Sequence, residues 1–446
     1  MQAMKTLAII GGGAAGLAAA IAAGRAVRRA GADTRVVVFE DDERVGRSIL
    51  ATGNGRCNFS NSEVPADLYH NGLFVACAMS AFEGLADVYK LRRGRAHHPA
   101  CGDAVLDFFA SLGLSWREEG EGRLYPYANK ASSVLDVLRG ACCAYAVEER
   151  CGLAIESVEL PREGGSKFTL RMADGSFERA DSVIVACGGG VTRKLLPGDF
   201  SYREPRAVLG PLATEAHLAR QLDNIRVRCE ARLVRGNQQL AHESGEVLFR
   251  KYGLSGIAIF NLSRFAEAGD AIELDLLPFL GDCDVEPFAF SRYKTLTSLY
   301  GGSLTCGTYL DGLVLPQVAR VLLKDAGYSE DSVLAKAQAP DVIRALKDLS
   351  FAVEGIADER QCQVRRGGYS VDAFSPYTME ALDVPSLFAA GEALDVDAPC
   401  GGYNLHWAWT SGAVAGFSAV ERLMGEDVLS WPLRNSDEDN IGGAEC

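Results

Sequence analysis

Apolar residues change their spacing along this chain in three blocks. Near the start, Thr6 to Ile10 is a nearly continuous apolar run that stops at Gly11-Gly12-Gly13. A run of that length without alternation predicts a short parallel strand buried on both faces. The next residues are Ala-rich and predict a helix from about Ala14 to Arg28. Val36-Val37-Val38-Phe39-Glu40 then repeats the buried-strand pattern and ends in an acid. Two later segments, SVIVACGGG (Ser182 to Gly190) and PSLFAAGEALD (Pro385 to Asp395), also read as buried strands that end in glycines. Between them the pattern differs. Ile225 to Val234 alternates like a half-buried strand, and Ala271 to Leu277 looks like another. From about Pro287 to Leu349 the spacing is helical, as in LVLPQVARVLLKDAG and PDVIRALKDL. Cys362 to Tyr369 turns back towards the sheet. There are no internal repeats, and the polar tail from Asn435 to Cys446 is expected to fray.

This order predicts an α/β protein whose parallel sheet is left and later rejoined. The expected division is a first part over 1–195, an insertion over 196–350, and a second part over 351–446. Within the insertion, about 196–280 is expected to be β-rich and about 287–350 helical. The length, 446 residues, allows two or three domains.

One uncharged stretch, Leu7 to Gly24, is long enough to suggest a membrane span. It is mostly Gly and Ala, which drive insertion weakly, and the glycines interrupt it. A buried strand, turn and helix account for it better, so no membrane span is expected. The net charge of −14 weighs against a nucleic-acid partner, which calls for a basic face. Thirteen cysteines show no secreted disulfide framework and no CxxC, which suits reduced thiols in a cytoplasm. His97, His98 and Cys101 imitate a metal corner but lack a second ligand pair, so no metal site is expected. Oligomeric state is left open.

Chemistry enters at the first turn. Gly11, Gly13, Ala15 and Gly16 lie in a G-x-G-x-x-G segment that follows a strand and opens a helix, with Glu40 at the end of the next strand. This is the full dinucleotide context. Gly11 permits the tight turn, Gly13 a close approach of backbone to pyrophosphate, and Gly16 close packing of helix on strand. The helix N-terminus offers N–H groups to phosphates, and Glu40 is placed to accept from ribose hydroxyls. Three observations favour FAD over NAD. VGRSILATGNGRCNFSN (Val45 to Asn61) follows the second strand at once. Its Gly46 and Arg47 can meet the pyrophosphate, while Asn54, Gly55, Arg56 and Cys57 can wrap a longer cofactor. The other two are the glycine-ended strands at Ser182 to Gly190 and at Gly391-Glu392. No second G-x-G-x-x-G is present, so a dedicated NAD(P)H domain is not expected, although NADH or NADPH remains possible as electron donor.

Taken together, GGGAAGLAAA, TGNGRCNFSN, LYPYANKASSVLDVL, GEVLFRKYGLSG and TMEALDVPSLFAAGEALDVDAPCGGYNLHWAWTSG make the chain resemble a bacterial flavoprotein family. Its members are described as aminoacetone oxidase-like FAD-binding enzymes or NAD(P)/FAD-dependent oxidoreductases. It includes reductases of conjugated double bonds in oxidised bile-acid intermediates. The resemblance covers nearly the whole chain. It implies a Rossmann-like, glutathione reductase-like FAD domain built from both ends of the chain and interrupted by an insertion with a β-rich and a helical part. It also implies that Gly391-Glu392, Gly402, Asn404 and Leu405 lie along the flavin, with Asn404 and Leu405 meeting its pyrimidine edge through their backbone. The chain departs from the family at His406, where Gln is common, and at Ser48, where Lys is common.

These implications lead to an FAD-dependent oxidoreductase acting on a small molecule, with hydride passing through flavin N5 to an activated C=C bond of an enone or dienone. His406 and Tyr403 are the candidate proton donors. The competing readings are an FAD-dependent amine oxidase using O₂ and, from another class, a flavin-binding RNA-modification or binding protein. A NAD-only dehydrogenase is a further alternative. Trp407 and Trp409 read mainly as helix-packing residues, and Cys57 as a small buried residue rather than a nucleophile. Arg56 and Lys130 are candidates for an anion or carbonyl contact.

Overall fold

A computed structural model describes residues 4–91, 103–161, 167–197, 200–215 and 217–425. His97, His98, Cys101 and the tail from Asn435 lie outside the described residues. The chain divides into two compact units. One comprises residues up to Arg206 together with those from Val364 onward, and the other runs from Ala207 to Gln363.

In the first unit, five parallel strands form one sheet in the order Leu387–Ala389, Ser182–Val185, Lys5–Ile10, Thr34–Glu40 and Glu148–Cys151. The first strand is central. The chain leaves it on one side to add two strands and on the other to add two more. A crevice therefore opens at its carboxyl end, where ligands bind in sheets of this kind. Leu7, Ala8, Ile9, Val37 and Val38 are fully buried, as expected for strands covered on both faces.

The first helix, Ala14–Ala30, follows the glycine turn. The last helix, Tyr403–Met424, packs against it. Their contact uses small residues on both sides. A Cβ added at Gly412 or Gly416 would fall 2.2 Å from the carbonyl oxygen of Ala15 or Ala19. Ala and Gly at these positions allow the two backbones to approach more closely than branched side chains would. The apparent membrane stretch is thus a buried strand and helix. Among the described residues no helix is long and apolar enough to cross a membrane.

The second unit is a closed six-stranded barrel of Leu212–Thr214, Gly253–Ser255, Gln238–Arg250, Arg226–Arg235, Ala271–Asp275 and Leu349–Ile356. It has its own core, including Val247, Phe249, Leu254 and Phe351. Helices Val285–Tyr300, Pro316–Asp325 and Ala339–Arg344 lie between its last two strands in sequence. Residues 196–206 belong to the first unit and 351–363 to the second, so both boundaries fall later than the spacing predicts. Two pairings explain the shift. Tyr202–Val208 pairs with Val364–Tyr369 in a separate two-stranded sheet. Leu349–Ile356, with strictly alternating burial over its first six residues, completes the barrel after the helices. Cys362 to Tyr369 accordingly joins that small sheet rather than the five-stranded one.

Candidate functional site

Three glycine turns end adjacent strands of the five-stranded sheet. The Gly11 N–H donates to Phe39 O at 2.8 Å, Ala186 N to Ile10 O at 2.8 Å and Ala390 N to Val185 O at 2.9 Å, so the strand ends lie level. Gly11 has φ of +101°, and a Cβ there would sit 2.5 Å from Ala186 O. At Gly16 a Cβ would sit 1.9 Å from Gly11 O. No side chain can occupy either place. Gly13 caps the first helix without a side-chain hydrogen bond, and the first turn carries no acid. The free N–H groups and the positive dipole end are therefore available to a phosphate. A Cβ at Gly13 would meet nothing nearer than Ser48 Oγ at 3.4 Å, which leaves the approach to the helix open.

Glu40 closes this turn. Its Oε2 accepts from Gly12 N at 2.7 Å and its Oε1 from Asp42 N at 2.9 Å. Burial raises its pKa, and the two backbone donors oppose that. Gly46 N bonds Gly12 O at 2.8 Å, which ties the segment after the second strand to the first turn. Arg47 pairs with Asp42 at 2.5 Å on the surface.

From Gly53 to Cys57 the backbone turns repeatedly through the left-handed region, with φ of +55° at Gly53, +55° at Asn54, +80° at Gly55 and +58° at Cys57. Arg56 is held by Asn129 at 2.5 Å and by Glu119, and its guanidinium lies 4.1 Å from the Tyr125 ring centroid. It is a structural strut of the loop in this arrangement. Lys130 is exposed just ahead of the helix Ala131–Ala144. Cys57 is fully buried, and burial pushes its thiol up to about 11. It is a packed, protonated residue, in line with the small-residue reading.

Two tryptophans join the halves of the site. Trp407 Nε1 donates to Gly391 O at 3.1 Å and Trp409 Nε1 to Phe59 O at 2.9 Å. Both rings are buried, so they are packing residues whose polar ends also position the strand end at Gly391 and the segment before Ser60. Ser411 Oγ accepts from Gly391 N at 2.9 Å. The side chain of Asn404 folds back, bonding Ala398 N at 2.9 Å and Ala398 O at 2.8 Å, which leaves its backbone as the part that can meet a ligand. Gly402 has φ of +99°, and a Cβ there would fall 2.3 Å from Ser60 O and 3.0 Å from Asn58 Oδ1. Asn61 Nδ2 donates to Gly401 O at 3.1 Å. The opening of the last helix is thereby fastened to the Asn58–Asn61 segment. Leu405 follows in the first turn of that helix.

Glu392 follows Gly391, with its Oε2 3.5 Å from Arg365 N. Burial raises its pKa to about 7. His406 is buried at 3% exposure. Its Nδ1 lies 2.9 Å from Ser60 Oγ and its Nε2 3.7 Å from Asp103 Oδ2. Burial lowers its pKa, opposed by the Asp103 charge. The Tyr403 backbone carbonyl accepts from Tyr69 Oη at 2.9 Å, and burial raises the Tyr403 phenol. The sequence expectations do not include Asn58, Ser60, Asp103 or Ser411. Asn58 and Ser60 stand inside TGNGRCNFSN, where the segment itself was the available signal.

The arrangement suits a long dinucleotide. It has an uncapped helix N-terminus, glycine turns on three strand ends, and a second uncapped helix N-terminus at Gly402. It also has a buried acceptor, Asn58 Oδ1, with no hydrogen-bond partner in the protein. A buried acceptor left unpaired is costly unless a ligand or water completes it.

The HI0933-like protein Rossmann domain family matches residues 5–418. The chain is similar to the 3-dehydro-bile acid delta(4,6)-reductase of Clostridium scindens, with 33% identity covering 94% of this chain and 100% of the relative. It is also similar to the ribosomal RNA dihydrouridine synthases of Escherichia coli and Haemophilus influenzae. The first is 28% identical over 90% of this chain and 95% of the relative. The second is 27% identical, again over 90% and 95%.

Proposed function

We propose that this chain, which belongs to the HI0933-like Rossmann-domain family, reduces an activated C=C bond of a small molecule. The chain is an FAD-dependent oxidoreductase. The observation that carries the finer reading is the Clostridium scindens relative, matched over its whole length, whose name describes reduction at the 4 and 6 double bonds of a 3-dehydro-bile acid. The dihydrouridine synthases are named for a product that is uridine with hydrogen added across a C=C bond conjugated to a carbonyl. Both names describe hydrogenation of an enone-like bond, although the molecules differ greatly in size.

When bound, FAD would supply the hydride chemistry. The residues of this chain would hold and orient it. The first helix N-terminus and the glycines at 11, 13 and 16 would take the pyrophosphate, Glu40 the ribose, Glu392 the hydroxylated linker, and the Gly402–Leu405 backbone with Asn58 the ring. The N-terminus of the last helix favours negative charge nearby. Hydride addition to the β carbon leaves an enolate that requires a proton. Tyr403 keeps its proton at neutral pH, since burial raises its pKa, and is our first candidate donor. His406 is held by Ser60 and Asp103, so we assign it an effect on that delivery through Ser60.

The test is single-turnover oxidation of anaerobically reduced protein by an enone. We expect oxidation in the wild type, a large loss in Tyr403→Phe and a smaller one with a changed pH profile in His406→Gln. Flavin that ignores enones but is reduced by an amine and reoxidised rapidly by air would replace this reading with an amine oxidase. Bleaching by NADH or NADPH in the same anaerobic cell identifies the electron donor. An RNA-modifying role is favoured by the two synthase relatives and opposed by the charge of −14. Salt-dependent binding of ribosomal RNA would support it.

A further inference from the structure

Asn58 is held firmly by its neighbours but not by its own side chain. Before it, Cys57 N donates to Thr52 O at 3.0 Å. After it, Phe59 N donates to Leu124 O at 3.0 Å, and Phe59 O accepts from Trp409 Nε1 at 2.9 Å. Cys57 has φ of +58°, a conformation that L side chains resist. Strain of this kind persists where the surroundings fix it, and it clusters at ligand clamps. Asn58 Oδ1 would lie 3.0 Å from a Cβ at Gly402, so the amide stands against the opening of the last helix. Yet Oδ1 is buried and has no hydrogen-bond partner in the protein. Among the described residues nothing bonds the amide nitrogen either.

The fixed backbone on both sides places this acceptor in advance, and the chain offers it no donor. A flavin ring offers one in a way that depends on its redox state. The polar edge of the oxidised ring consists mostly of acceptors, which suit the free N–H groups at the start of the last helix. Reduction adds two electrons and a proton at N5, so that an acceptor becomes an N–H donor. A buried acceptor left unpaired is costly, and pairing it recovers that cost. A carbonyl oxygen fixed in this position therefore gains more from the reduced ring than from the oxidised one. A bridging water, or the N3–H present in both states, would give no such preference.

We propose that Asn58 sets the redox poise of the flavin. Its Oδ1 accepts from the N5–H formed on reduction and so favours the reduced ring. The inference rests on the reading above that puts Asn58 at the ring, and it is independent of which substrate is reduced.

Two measurements test it: the midpoint potential of bound FAD, by anaerobic equilibration with reference dyes, and the dissociation constant of oxidised FAD from FAD-free protein. Asn58→Leu keeps a similar shape without polar atoms, and Asn58→Ala provides a smaller replacement should leucine not fit. We expect each to weaken the preference for reduced over oxidised flavin by about tenfold. For a two-electron couple that lowers the potential by about 30 mV. Oxidised FAD should bind within about threefold of wild type. An unchanged potential would overturn the proposal, since Oδ1 would then meet water or an N–H present in both states. A raised potential would overturn it by making the amide a partner of the oxidised ring. Neither variant binding FAD would overturn it as well, because Asn58 would then hold the ring in either state. Wild type that takes up no FAD would instead break the reading on which the inference rests. Loss of enone reduction leaves the potentials measurable, so the two ideas are judged separately.

Discussion

The two glycine-rich segments of the first unit use the same residue for opposite purposes. At Gly11 and Gly16 glycine is needed because the chain presses against itself, with added Cβ atoms falling 2.5 Å and 1.9 Å from carbonyl oxygens. At Gly55 the nearest atom to an added Cβ is 3.9 Å away, and it is the φ of +80° that calls for glycine. The first segment is fixed by sterics and forms a rigid floor. The second is shaped mainly by backbone torsion, with one steric restraint at Gly53, where an added Cβ would fall 2.7 Å from Asn58 N. A motif written as a string of glycines hides this difference, and only the neighbours of each Cβ reveal it.

The largest expected effect breaks that comparison most directly. Gly16→Ala should cost more than about 3 kcal/mol, since the methyl meets backbone that cannot move without shifting the strand. Urea unfolding measures it, and a loss below about 1 kcal/mol would show that the floor is compliant. Glu40→Ala should weaken FAD binding by about 1.5–3 kcal/mol through loss of a charge-assisted ribose contact. Titration of FAD-free protein checks this, and an unchanged dissociation constant would confine Glu40 to bracing Gly12 and Asp42.

Glu392 sharpens the contrast through pH. Burial raises its carboxyl from 4.5 to about 7, so folding takes up a proton. Stability from this group is full below pH 4.5 and is lost as pH rises through about 7. FAD-free wild type should lose on the order of 1–3 kcal/mol across that window relative to Glu392→Gln. Parallel pH curves for the two proteins would mean that water already solvates the carboxylate. The smallest effect belongs to Gly55→Ala. It should cost about 1 kcal/mol, the penalty for a left-handed L-residue, without a clash. A loss as large as that of Gly16→Ala would erase the distinction between the segments.

Much of the sheet was legible because its strands are short apolar runs ending in glycines. Thr6 to Ile10 and Val36 to Glu40 could be placed within two residues of the observed strands. The second unit was harder to bound. Leu349–Ile356 follows helical residues without a glycine or proline break, so its alternation was absorbed into the preceding pattern. In the site, the glycines and Glu40 announce themselves by spacing. Ser60 and Asp103 do not, because they meet His406 across 346 residues in one case and about three hundred in the other, and no local period records such a meeting. Asn58 matters through a hydrogen bond it fails to make, which no sequence pattern displays.

The crossing of the first and last helices bears on how the protein is made. Ala15 and Ala19 emerge from the ribosome well before the glycines that cover them, Gly412 and Gly416. Until then the first helix has an apolar flank without its native cover, and the strand Leu387–Ala389 has not joined the sheet. The nucleotide floor can be laid down in a nascent chain, but the far wall cannot. Cofactor capture should therefore await synthesis of the last helix. Chains truncated before the last helix should be retained by chaperones rather than accumulate as half-active enzyme.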